Sequence, residues 1–73
     1  MINASAIVGA NVRAELDRLE IPRLALAAKL ELSKTAIYDR LRGHLNWDID
    51  ELVIISDWLD VPLDQLLKGL PRS

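Results

Sequence analysis

Apolar residues recur along this chain at steps of three and four, the spacing of one side of an α-helix, and no stretch alternates as a half-buried strand would. Val8, Val12, Leu16 and Leu19 form the first stripe and predict a helix from about Ser5 to Glu20, with Asn3 or Ser5 as its cap. Pro22 stops that helix and suits the first turn of a second, about two turns long, which carries Leu24, Ala27, Ala28 and Leu30. Ser33 is placed to accept from the amide of Thr35 or Ala36, so a third helix opens at Lys34 and runs to Gly43 with Ile37 and Leu41 inward. Asp48, with Glu51 three residues on, reads as a capping pair for a fourth helix that turns Ile49, Leu52, Ile55 and Leu59 inward and stops at Asp60. Pro62 starts a last short helix with Leu63, Leu66 and Leu67, and residues 66–73 are its end or a fraying tail. The expected fold class is all-α, a compact five-helix domain spanning residues 1–73.

Composition narrows the chemistry. A chain of 73 residues forms one domain at most and buries only about 60% of the surface its unfolded form exposes, so packing must be simple. With no cysteine there is neither a disulfide framework nor a thiolate zinc site, and the single His44 cannot build a metal centre alone. No cofactor, metal or small-molecule ligand is expected. Catalysis is not expected either, because His44 has no evident nucleophile or orienting partner. The chain has no apolar run long enough to span a membrane and no basic signal-peptide start, which points to the cytoplasm.

Charge is unevenly spread. The formal net charge is −2, yet from Arg23 to His44 five basic residues (Arg23, Lys29, Lys34, Arg40, Arg42) stand against two acidic ones (Glu31, Asp39). Such an arrangement suits a domain that turns a positive side to a polyanion and keeps an acidic back.

The second and third helices are joined by only three residues, as in a helix-turn-helix, and Ala27 precedes the apolar Ile37 by ten, placing a small side chain where two steeply crossing helices come closest. "RLALAAKLELSKTAIYDRLRG" and "WDIDELVIISDWLDVPLDQLL" resemble, in order and spacing, the second to fifth helices of the Cro and phage-repressor class, the lambda-repressor-like, XRE-type helix-turn-helix regulators. Three departures stand out. Glu31 occupies the turn position where the family usually has Gly, at a cost of roughly 1 kcal/mol if the turn is left-handed. Arg23 replaces the Gln that commonly opens the second helix and binds a phosphate, a task a guanidinium can also perform. Leu16 and Leu41 fall where some relatives keep an internal Arg and Glu pair.

With Ile37 and Leu41 inward, helical geometry puts Thr35, Tyr38, Asp39 and Arg42 on the outer side, flanked by Lys34 and Arg40. The resemblance implies base reading in a DNA major groove by Lys34, Thr35 and Asp39, and phosphate contact by Arg23 and the loop around Arg42. Geometry adds Tyr38 to the base-reading set and His44 to the phosphate set, in which Ser33, Arg40 and Asn46 are also placed. Plainer roles compete. Asp39 can pair with Arg42, Lys34 and Arg40 can be a solvated helix side, His44 an ordinary loop residue, and Trp47 a cover on the core.

The fourth helix has a second apolar stripe, with Ile54 one turn before Trp58, more than one buried side needs. A homodimer through Ile54, Trp58, Leu66 and Leu70 is one account, and fuller wrapping of this helix by the fold is the other. The function expected is sequence-specific binding of double-stranded DNA at a palindromic operator, as a Cro-like or repressor switch of a phage or prophage. The alternative is a protein-interaction module, such as an anti-repressor, that keeps the fold but docks on another regulator.

Overall fold

The Asn3 side-chain oxygen accepts the Ala6 amide at 3.0 Å and thereby opens the first helix, α1 (Ala4–Arg18). In the computed structural model, which describes residues 2–71, four further helices follow: α2 (Arg23–Lys29), α3 (Lys34–Arg42), α4 (Ile49–Leu59) and α5 (Leu63–Leu66). No strand occurs among the described residues, so the five-helix, all-α class expected from the pattern is the one observed. The tail residues Arg72 and Ser73 lie outside the described residues. No described helix is long and apolar enough to cross a membrane.

The first four helices stop by a shared device. After α1 the Ile21 amide reaches back to the Leu16 carbonyl at 2.8 Å, which turns Glu20 to a φ of 57° and ends the helix two residues earlier than its apolar stripe suggests. Equivalent bonds run from Leu32 to Ala27, from His44 to Asp39 and from Val61 to Ser56. The left-handed residues there are Glu31, Gly43 and Asp60, so only one of these four turns uses glycine. Glu31, at φ 56°, therefore holds the strained conformation that its position in the turn implies. Glu31→Gly is expected to raise unfolding stability by roughly 1 kcal/mol, read as a higher urea midpoint with an unchanged slope.

The core is drawn from every helix: Val8, Val12 and Leu16 from α1, Leu26 and Ala27 from α2, Ile37 and Leu41 from α3, Ile55 and Leu59 from α4, Leu66 from α5, with Val61 between the last two. α3 packs on α1 and α2, while α5 rests on α4 and α1. Gly9 permits the close approach of α1 to α3, because a Cβ there would run into the Leu41 carbonyl at the end of α3. Leu16 and Leu41, the apolar replacements for an internal ion pair, are both buried.

Ile49 corrects the expected orientation of α4. It is 78% exposed, whereas Glu51 is buried. Asp48 caps the helix, so Ile49 is its first residue, and the six-residue step from buried Ile55 turns it about 120° away from the inner side. Leu52 is half-buried and Val53 exposed, leaving an outer strip of Ile49, Val53 and Ile54.

Candidate nucleic-acid interface

Ser33 sets the start of α3. Its hydroxyl oxygen accepts the Ala36 amide at 3.1 Å, fixing the first turn with Lys34 and Thr35 both exposed. Buried Ala27 and Ile37 lie in the core where α2 packs on α3, joined through residues 30–33. Tyr38 is half-buried against the core, and the Arg42 guanidinium sits 5.8 Å from its ring centre. Asp39 is half-buried, with its carboxylate 3.9 Å from His44 Nδ1. The Asp39–Arg42 pairing is not formed, since each side chain has another neighbour.

The loop after α3 is tied to the start of α1. Asn3 Nδ2 donates to the Gly43 carbonyl at 3.1 Å, the Ser5 hydroxyl donates to Asn46 Oδ1 at 3.0 Å, and Trp47 Nε1 donates to the Ser5 carbonyl at 3.3 Å. Gly43 suits this junction twice over: its φ is 84°, and a Cβ would come within 2.6 Å of the Ala6 side chain. His44 and Asn46 are thus presented on an anchored loop, and Trp47 covers the core.

The basic residues are not equally available. Arg23, at the start of α2, has Nη1 3.0 Å from Asp17 Oδ1 in a partly exposed pair. Such pairs hold their side chains by under about 1 kcal/mol. Lys29, Lys34 and Arg42 have no carboxylate within 4.0 Å among the described residues. Arg40, expected on the phosphate side, is turned inward instead. Its side chain is only 14% exposed and its Nε donates to Glu51 Oε1 at 3.0 Å. The sequence signalled half of this arrangement, the Asp48 and Glu51 capping pair, but nothing local tied it to a residue eleven positions earlier on another helix.

The residues assigned to an interface between copies are not all at a surface. Leu66 is fully buried and belongs to the core, because the short α5 faces inward there and the Asn11 amide holds the Leu66 and Lys68 carbonyls at 2.8 and 2.7 Å. Trp58 and Leu70 are half-buried against the core, and Ile54 is exposed. Asn11 went unnoticed in the sequence, where a polar residue on a helix flank carries no signal of a partner 55 residues away.

A short α2, a turn through left-handed Glu31, and an α3 whose outer side is polar and open define a helix-turn-helix type of domain. The BetR domain matches residues 3–72, nearly the whole chain, and the chain belongs to that family. Membership supports a DNA-binding regulatory domain and stops short of the Cro and phage-repressor class. Comparison with curated proteins and with solved structures gave no significant match.

Proposed function

We propose that this chain is a sequence-specific, double-stranded DNA-binding transcriptional regulator that reads the major groove with α3, acting in the cytoplasm as a Cro-like or repressor switch of phage or prophage type. The observation that carries the reading is the open polar side of α3: Lys34 and Thr35 exposed at its start, with Lys34 and Arg42 unneutralised among the described residues. Lys34 reaches guanine O6 or N7, Thr35 bonds a base edge or touches a thymine methyl, and Asp39 accepts from a cytosine amino group, with Tyr38 beside them. Arg23, Ser33, Arg42, His44 and Asn46 hold phosphates and set the register. Arg23 exchanges its weak tie to Asp17 for a phosphate. No cofactor enters this scheme.

Two copies bound to a palindromic operator place their recognition helices about 34 Å apart, one turn of the duplex. The exposed apolar strip of Ile49, Val53 and Ile54 supports association through α4. The same strip favours a second reading, a module that docks on another regulator and needs neither Lys34 nor Arg23.

Binding of the parent, Lys34→Ala and Arg23→Ala to candidate operator and random duplexes across a salt series separates the two. DNA recognition gives a slope of log affinity against log salt near −0.9 for each phosphate contacted. Lys34→Ala then loses preference between duplexes, and Arg23→Ala weakens all of them alike with a shallower slope. Salt-insensitive or absent binding to every duplex would remove the DNA reading and leave the docking one.

A further inference from the structure

Glu51 Oε1 is shared by two donors, the Arg40 Nε and the Asp48 amide, each at 3.0 Å. The Arg40 and Glu51 side chains are 14% and 12% exposed, so the pair is largely desolvated and its geometry is costly to disturb. Arg40 lies in the last turn of α3 and Glu51 in the first turn of α4, so each charge also opposes the partial charge at the end of its own helix. α3 has its extensive packing with α1 and α2 and not with α4. Among the described residues, this is the one side-chain hydrogen bond that joins α3 to α4. Between the two helices runs the loop that carries His44 and Asn46.

We infer that Arg40 and Glu51 are positioning residues of the DNA interface: their ion pair joins α3 to α4 across the phosphate-facing loop and, with the ties of that loop to the start of α1, holds the loop at a fixed angle to the base-facing side of α3, without either residue touching DNA. The inference rests on the DNA-binding reading for its consequence, and on the geometry of the free protein for its cause. A base-reading side chain discriminates only when held in a fixed register against the backbone contacts. Loosening the pair therefore lowers the preference for the correct duplex, whereas removing a phosphate contact weakens all duplexes together.

Arg40→Gln and Glu51→Gln test this by two readouts, DNA binding across a salt series and amide exchange in the free protein. For Arg40→Gln the expected result is an unchanged salt slope, with the ratio of operator to random affinity reduced about tenfold, comparable with one mismatched base pair. Glu51→Gln removes a negative charge from a chain of net charge −2, which by charge alone would tighten every duplex. The expected result is instead the same loss of preference. In both variants the His44 and Leu45 amides, which donate to the Asp39 carbonyl, should exchange faster, while the amides of α1 stay protected. A slope shallower by about 0.9 in Arg40→Gln would make it a phosphate contact and overturn the inference. Unchanged preference, or unchanged exchange at His44 and Leu45, would overturn it as well. Should the parent bind no duplex, the DNA reading itself fails, and the exchange arm alone decides whether the pair holds α3 to the loop. Glu51→Gln keeps an acceptor for the Asp48 amide, so it serves where Arg40→Gln does not fold.

Discussion

Gly9→Ala should lower the unfolding free energy by about 2 kcal/mol or more, although alanine is the better helix former by about 1 kcal/mol. Gly9 lies in the middle of α1 and is buried against the last turn of α3. A Cβ there would run into the Leu41 carbonyl oxygen and stand 2.8 Å from the Leu41 carbonyl carbon and 3.0 Å from the Arg40 oxygen. These are backbone atoms, so no rotamer change relieves the contact, and α1 and α3 must separate along their shared core of Val8, Val12, Ile37 and Leu41. In a chain of this size a loss of 2 kcal/mol lowers the melting temperature by roughly 8–16 °C. Circular dichroism through a thermal scan reads the result directly. A rise in melting temperature would instead indicate that helix propensity governs this position and that α1 and α3 do not approach so closely.

The close approach at Gly9 carried no signal in the sequence. Local signals were legible because their physics is local: Ser33 caps α3, Asp48 caps α4, and Asp60 ends that helix. The left-handed turn at Glu31 was legible only through the resemblance, which places a glycine at that position. Orientation was harder. Every residue of α4 from Leu52 to Ile55 is apolar, so periodicity is a poor guide to its inner side: it turns Ile49 inward, whereas Ile49 is exposed and Glu51 is buried with its partner on another helix. Arg40 was misplaced for the same reason: a cation on a helix flank looks solvated until its carboxylate is located. Of the candidate interface, the open Lys34 and Thr35 follow from helical geometry, while the anchoring of Asn46 through Ser5 needed the fold.

Leu66→Ala should cost about 2–5 kcal/mol, a large part of the roughly 5–15 kcal/mol that holds a small domain folded. Four-residue α5 is too short to show a period, so its leucines could equally have been assigned to the surface or to the core. The structure distinguishes them: Leu66 is fully buried, while Leu63 is 37% exposed. The side chain sits in the cluster with Ile55, Leu59 and Val61, and Asn11 secures its carbonyl, so the shortened residue leaves a cavity that the anchored backbone cannot close. If Leu66 served an interface between copies, the loss would shrink on dilution, because the folded monomer would never have contained its contacts. A core residue gives the same loss at every protein concentration. Ile54→Ala supplies the contrast: at 40% exposure it should change monomer stability by no more than about 0.5 kcal/mol, and any effect of this substitution should appear only where the protein associates.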